Sequence, residues 1–205
     1  MTPLVAAVAV LLVAWFAAGT IWNVRKGSAL MRWMQSGLPL IGARTTVRWL
    51  GSSVVQMTLG DTKAPFNAAG VVIFLEPRDL PWWPLSRARG RRDTLIVRGT
   101  LLRTPALELE LLEPASWSER DALPRIPGSW QTRDGKLRLH HDAPAALERG
   151  DALLARAQAA GMQLMRLSVR RAEPNFQLHV ALPDPAKPAR EFFDAVRALG
   201  ELALK

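Results

Sequence analysis

The chain begins with a long apolar run and then changes to alternating apolar and polar positions. No charged side chain occurs before Arg25, and residues 4–22 read LVAAVAVLLVAWFAAGTIW. As a helix this run spans roughly 28 Å at about 1.5 Å per residue, close to the hydrocarbon thickness of a bilayer. Because backbone groups in lipid must satisfy one another, the pattern predicts a single transmembrane helix over residues 1–24.

A secretory signal is the alternative interpretation of this run. Such a signal needs a positive n-region, a short apolar core and a small-residue cleavage site. Residues 17–19 are Ala-Ala-Gly and supply small residues, but only the uncharged side chains of residues 1–3 precede the core. The apolar run is also longer than that of a typical signal. The sequence therefore favours a retained anchor.

Residues 25–44 form a juxtamembrane segment that mixes basic and apolar side chains. One interpretation is an interfacial helix that continues the anchor. The other is a short linker packed on the following domain. Gly37 and Pro39 predict that any helix ends early in either case. The candidate juxtamembrane contacts are Arg25, Lys26 and Arg32, which are predicted to meet headgroups, and the apolar Trp33.

Beyond residue 44 the apolar period becomes two, which predicts β-strands. Residues 107, 109 and 111 are leucines that alternate with Glu108 and Glu110, which indicates one buried face and one solvated face. Residues 103–105 are short enough to join the last two strands as a hairpin. The predicted strands are 45–50, 53–59, 70–75, 94–102 and 106–112.

The second half of the chain predicts hairpins and helices in alternation. Asp134-Gly135 is a tight-turn signal between strands 129–133 and 136–140. A second hairpin, 165–169 with 176–182, turns around residues 173–175. Helices are predicted at 144–160 and 188–202, the second with a buried stripe. The stripe consists of Phe192, Val196, Leu199 and Ala203.

These patterns predict an α+β fold: a single transmembrane helix, then a mainly antiparallel sheet domain with two or three helices. The order hairpin–helix–hairpin–helix, with the similar segments 152–161 and 192–200, suggests a repeated unit in the second half. The predicted regions are a transmembrane anchor (1–24), a juxtamembrane segment (25–44), an antiparallel β region (45–115) and an α+β region (116–205).

The net charge of +9 lies entirely in the half of the chain nearest the anchor. Residues 1–103 hold 13 Lys or Arg against four Asp or Glu, whereas the later residues balance. Basic side chains follow the apolar run and none precede it. The positive-inside rule therefore predicts an external N-terminus and a cytoplasmic domain at the cell membrane. The absence of cysteine agrees with a cytosolic domain.

No motif for catalysis, cofactor binding or metal binding is visible. The chain has no cysteine, no glycine-rich phosphate loop and no G-x-S-x-G elbow. His140 and His141 are adjacent, so on a strand they point to opposite faces and cannot share a metal. Together with His179 they are interpreted as solvent-facing strand residues, and Glu108 and Glu110 as a solvated strand face. The sequence therefore predicts no cofactor and leans away from an enzyme.

The most distinctive local feature is the segment 80–92, LPWWPLSRARGRR. Its prolines predict a loop between two strands. Tryptophan rings beside guanidinium groups suit an acidic membrane surface. A protein hot spot, a single-stranded nucleic-acid contact, or a solvated loop with core-plugging rings are the alternatives. The predicted contacts to lipid or a partner are Trp82, Trp83, Arg87, Arg89, Arg91 and Arg92.

The preferred function is a membrane-anchored cytoplasmic binding or scaffold module whose basic half contacts the anionic lipid of the inner leaflet. The alternatives are an accessory subunit of a larger membrane protein complex and a membrane-bound enzyme without a recognisable motif. Alanines in the apolar run would let a partner helix approach closely. Nucleic acid is the least favoured partner.

Overall fold

The computed structural model describes residues 3–205 as five helices packed with one large sheet. The helices are α1 (Pro3–Met34), α2 (Trp83–Ala88), α3 (Trp117–Ala122), α4 (Ala145–Ala159) and α5 (Ala189–Leu204). The strands are β1 (Gly42–Trp49), β2 (Val54–Thr62), β3 (Phe66–Phe74), β4 (Thr94–Leu101), β5 (Leu109–Leu112), β6 (Gln131–Arg133), β7 (Arg138–His141), β8 (Leu164–Val169) and β9 (Phe176–Ala181).

All nine strands form a single antiparallel sheet in the order β1-β2-β3-β4-β9-β8-β5-β7-β6. The predicted α+β class with a mainly antiparallel sheet is confirmed. The predicted hairpins β6–β7 and β8–β9 and the helices α4 and α5 are also present in the predicted chain order. The repeat within the second half stays a prediction.

One face of the sheet is apolar and the other is polar. On β2, Val55, Met57 and Leu59 are buried, whereas Gln56 and Thr58 between them are exposed. The apolar face packs against the second half of α1 and against α4 and α5 in one continuous core. The predicted stripe of α5 is buried in this core. On the polar face, the short helix α3 packs on β8 and β9.

The helix α1 is both a candidate membrane span and part of the domain. It is 32 residues long, or about 48 Å, and its apolar part is long enough to cross a membrane. Residues 3–18 of the helix are exposed on every face, whereas Leu30 and Met34 near its end are buried in the core. The juxtamembrane segment therefore continues the helix, as one interpretation predicted, but its apolar side chains pack on the domain, as the other predicted.

The predicted hairpin between residues 94–102 and 106–112 is wrong. β4 pairs with β3 and β9, and β5 pairs with β7 and β8. The hairpin β8–β9 therefore lies between the two strands that are neighbours in sequence. Alternation identifies each strand and its buried face, but it carries no information about which strand lies next to it.

Candidate membrane-interface site

The exposed part of α1 leaves the domain at the end of the sheet that carries the tryptophan–arginine segment. Trp49 pairs with Val55, and Phe74 pairs with both Val54 and Thr94. The β1–β2 turn and the long β3–β4 connection therefore lie at the same end of the sheet. Gly19 packs so closely on the backbone of Arg78 that a Cβ atom would lie 2.3 Å from its carbonyl oxygen.

The predicted loop at residues 80–92 contains a short helix, α2. Pro84 lies in its first turn, where the missing amide hydrogen has no helical partner to lose. The prediction of a loop is therefore wrong for residues 83–88, because proline is tolerated in the first turn of a helix. Trp82 is exposed and Trp83 is half-buried, so the helix directs the two rings to different environments.

Trp83 and Arg87 on α2 bind one buried carboxylate. Glu76 is 2% exposed, and it accepts hydrogen bonds from the indole Nε1 of Trp83 and, at 2.8 Å, from Nη1 of Arg87. The guanidinium group of Arg78 lies over the Trp83 ring at 5.8 Å. Two of the six predicted contacts in this segment therefore stabilise α2 on the domain.

A second carboxylate, Asp93, joins this end of the sheet to α1. It accepts hydrogen bonds from Lys26 at 2.6 Å and from both terminal nitrogens of Arg78 at 2.8 and 3.0 Å. Burial alone would raise the pKa of Asp93, but the bonds from Arg78 and Lys26 outweigh it and lower the pKa below its ordinary value. The carboxylate is therefore ionised and holds α1 in place.

Asn23 completes the contact between α1 and the sheet. Its buried side chain donates to the backbone oxygen of Glu76 at 3.1 Å and accepts from Arg78 at 3.1 Å. The network at the base of the exposed helix is here named the collar. It consists of Asn23, Lys26, Glu76, Arg78, Trp83, Arg87 and Asp93.

Several side chains beside the collar remain exposed. Trp82 is 58% exposed and Leu85 is 52% exposed, and Leu50 in the β1–β2 turn is exposed at the same end of the sheet. Within residues 3–205 no carboxylate forms an ion pair with any of a group of exposed arginines. This group consists of Arg25, Arg89, Arg91 and Arg92. This end therefore combines apolar side chains with unneutralised positive charge.

The four predicted juxtamembrane contacts have separate environments. Arg25 and Arg32 are exposed, while Lys26 belongs to the collar. Trp33 donates from Nε1 to the backbone oxygen of Lys187 at 2.7 Å, and its ring packs on Phe192 with 5.9 Å between centroids. Trp33 therefore joins α1 to the start of α5.

The interpretation of Glu108 and Glu110 as a solvated strand face is wrong for Glu110. Glu110 is fully buried and accepts hydrogen bonds from Arg166 at 2.9 and 3.0 Å and from Ser168 at 2.7 Å. Arg170 donates to it at 3.0 and 3.1 Å. Glu108 is half-buried and pairs with the exposed Arg171. The carboxylates do lie opposite the leucine face, but α3 covers this face near Glu110.

The buried carboxylate of Glu110 and the three side chains that donate to it are here named the Glu110 cluster. Its members are Glu110, Arg166, Ser168 and Arg170. At its edge the guanidinium group of Arg170 stacks over the Trp130 ring at 4.3 Å. Asp121 on α3 accepts from Arg166 at 3.4 Å. The cluster is therefore closed by the segment that contains α3.

The interpretation of the histidines as solvent-facing is also wrong, because all three are buried. Nδ1 of His179 lies 3.2 Å from Oγ of the buried Ser118, and the His179 ring stacks on Trp117 of α3. Burial, together with the charges of Arg166 and Arg98, lowers the pKa of His179 to about 3. The pair therefore holds α3 on the sheet through a neutral imidazole.

His140 and His141 point to opposite faces of β7, as the sequence predicts. His140 faces Thr132 across the hairpin, with 2.8 Å between Nδ1 and Oγ1. His141 donates from Nδ1 to the backbone oxygen of Ala143 at 2.8 Å. Burial, followed by the charge of Arg138, lowers the pKa of His140.

The carboxylates of the collar were not predicted as site residues. Glu76 and Asp93 flank the tryptophan–arginine segment and are two of only four acidic residues before residue 104. Their isolation among 13 basic residues is the signal that would have indicated paired, buried carboxylates. Comparison with known proteins adds no information on this site, since no protein-family model matches the chain and the search of curated proteins returns no match.

Proposed function

We propose that this protein is a single-pass membrane-anchored binding or scaffold module with an external N-terminus and a cytoplasmic domain. In this proposal, the end of the domain at α2 contacts the acidic headgroups of the inner leaflet of the cell membrane. The observation that carries it is the position of the unneutralised arginines and exposed apolar side chains beside the exit of α1.

The need to cover α1 supports membrane anchoring. Twelve large apolar side chains of α1 between residues 4 and 24 are exposed to solvent. Covering one such side chain is worth about 1.5–3 kcal/mol, so this surface requires a bilayer or a partner. The helix runs without a break through the small residues 17–19 into the core, which supports a retained anchor over a cleaved signal.

We assign the proposed lipid contact to only one end of the basic half, because the basic residues lie at both ends of the sheet. Arg44, Lys63 and Arg103 lie at the opposite end of the sheet, where β1 begins and β4 ends. Attraction to anionic lipid fades within a Debye length, about 8 Å at physiological salt. The proposed contact therefore rests on Arg25, Trp82 and Leu85, with further charge from the arginines at residues 89, 91 and 92.

Single introduced cysteines test the proposal, since the chain has none of its own. Leu85→Cys places an environment-sensitive probe on α2, and Leu102→Cys places the same probe at the opposite end of the sheet. The two leucines are 52% and 55% exposed, so they form a matched pair. In nanodiscs with anionic lipid, we expect the emission maximum of the probe at residue 85 to shift to shorter wavelength. The emission maximum of the probe at residue 102 should remain unchanged.

The same variants report the orientation. A membrane-impermeant maleimide should leave Leu102→Cys unmodified in intact cells and modify it after lysis. Modification in intact cells would place the domain outside and contradict the positive-inside assignment. Equal probe spectra at residues 85 and 102 would instead contradict the lipid contact and leave the anchor unaffected.

A second candidate function is that of an accessory subunit in a larger membrane complex. It is supported by a shallow groove on the exposed part of α1, lined by Ala9, Val10, Val13, Ala14 and Ala17. Small residues let helix backbones approach closely in a membrane. Co-purification of a partner in mild detergent, lost in Ala14→Leu, distinguishes this function from that of an isolated module.

A further inference from the structure

A groove separates the anchor helix from α2. Trp15, Ala18 and Trp22 form the wall on α1, and the opposite side is formed by Arg78, Trp83 and Arg87. Its volume is about 500 Å³, within the range of about 300–1,000 Å³ that is typical of small-ligand sites. The groove therefore lies at the boundary between the exposed apolar helix and the charged collar.

The two ends of the groove differ in chemistry. Trp15 lies within the apolar run, seven residues before Trp22 and ten before the first charged residue of the chain. At the collar end, Arg87 is half-exposed and uses only Nη1 to bind Glu76. Its remaining guanidinium nitrogens donate to no other protein group within residues 3–205. The site therefore offers aromatic walls and a free cationic donor.

The charge of the collar favours an anion at this position. Three cations, Lys26, Arg78 and Arg87, surround two carboxylates, Glu76 and Asp93, which leaves one unit of positive charge. The exposed arginines of the 89–92 segment add to it. Arginine also presents its donors in a planar fork that matches phosphate oxygens.

We infer that the groove holds one molecule of an anionic phospholipid, with an acyl chain against the tryptophan rings and its phosphate on Arg87. This inference rests on the proposed membrane anchoring and deepens it, because it replaces a diffuse surface attraction with a site for a single lipid. The bilayer is the source of the ligand, since the groove continues the surface of α1 that must be covered. A free phosphate would leave the aromatic walls unoccupied.

The test is native mass spectrometry of the full-length protein released from nanodiscs of equal parts phosphatidylglycerol and phosphatidylcholine. We expect one phosphatidylglycerol to remain bound, with about tenfold preference over phosphatidylcholine, equivalent to about 1.4 kcal/mol. Ala18→Leu should fill the groove and reduce the bound fraction at least fivefold. Ala6→Leu adds the same side chain to the exposed part of α1 away from both grooves, and it should retain the lipid.

Equal retention of the two lipids would overturn the inference, and so would equal loss of lipid in the Ala18→Leu and Ala6→Leu variants. Co-purification of a partner helix that Ala18→Leu removes would overturn it in favour of a protein ligand. If the protein resists alkaline extraction from membranes but carries no bound lipid, the single-lipid site is overturned and the proposed membrane anchor is not. Release of the protein by alkaline wash would contradict the anchor on which it rests.

Discussion

The collar and the Glu110 cluster are built from the same residue types but differ in how far their arginines are exposed to solvent. Each has a buried carboxylate that pairs with two arginines, and a tryptophan ring beneath a guanidinium group. In the collar the second arginine, Arg78, is 3.8 Å from Glu76 and hydrogen-bonds Asp93 instead. In the Glu110 cluster, Arg166 and Arg170 are largely buried, the first beneath Asp121 of α3 and the second against Trp130. In the collar, Arg87 is half-exposed and more arginines follow it. The two sites therefore differ in the guanidinium donors left over after internal pairing, and not in residue type.

The largest expected effect separates a closed ion pair from an exposed one. Glu110→Gln removes the charge partner of the buried Arg166 and should lower the free energy of unfolding by about 3–5 kcal/mol. Glu108→Gln removes the partner of the exposed Arg171 and should cost about 0–1 kcal/mol. Urea unfolding of the full-length protein in detergent, followed by tryptophan fluorescence, measures both. Equal losses would show that the Glu110 cluster is not closed in solution.

The second prediction uses pH to test how α3 covers the sheet. Burial lowers the pKa of His179 to about 3, against about 6.5 in the unfolded chain. Between these values the unfolded chain binds a proton that the folded protein excludes, so stability is complete above about pH 6.5 and falls on acidification. We expect a loss of about 3 kcal/mol between pH 7.5 and pH 4 from this group.

His179→Gln removes that titration, so the pH dependence of its unfolding free energy should be weaker than that of the unsubstituted protein. A residual slope is expected from His140, whose pKa is also lowered. The same slope in the variant and the unsubstituted protein would show that His179 is accessible to protons, and that α3 does not close this region.

The third prediction compares the contributions to stability of two adjacent tryptophans, Trp83 in the collar and the exposed Trp82 beside it. Trp83→Phe removes the hydrogen bond to the buried carboxylate of Glu76 and should cost about 1.5–3 kcal/mol of unfolding free energy. Trp82→Phe changes an exposed ring and should alter stability by less than about 0.5 kcal/mol. Thermal unfolding in detergent compares the two. The reverse order would mean that Trp82, not Trp83, packs on the domain.

The smallest expected effect concerns the exposed arginines. The triple variant in which Arg89, Arg91 and Arg92 are each replaced by Gln should bind anionic lipid less tightly. The loss of binding free energy should be at most about 1 kcal/mol per residue, and less at physiological salt. The probe at Leu85→Cys reports this loss as a smaller response to anionic lipid. Replacing Arg44, Lys63 and Arg103 removes equal charge at the opposite end of the sheet. The response of the probe should then be unchanged, and equal weakening by the two triple variants would indicate an effect of net charge alone.

Local patterns were sufficient to predict most of the secondary structure. Apolar periods of two and of 3.6 located the principal strands and the helices α4 and α5, because each element must bury one face in the same core. The turn at Asp134-Gly135 was also predictable, because its backbone requirement is local. Proline in the first turn of α2 was misread as a helix breaker, because its effect depends on position within the helix.

The sequence by itself determined the candidate span, the uneven charge and the sheet class, since each depends on neighbours along the chain. Only the tertiary structure decided which polar residues are buried together. Glu110, for example, lies 56 residues before Arg166 and 60 before Arg170, and Asn23 lies 53 before Glu76. Pairing over such separations depends on strand order and on the position of α3 and α1. These contacts arise from packing, so a pattern read along the chain does not reveal them.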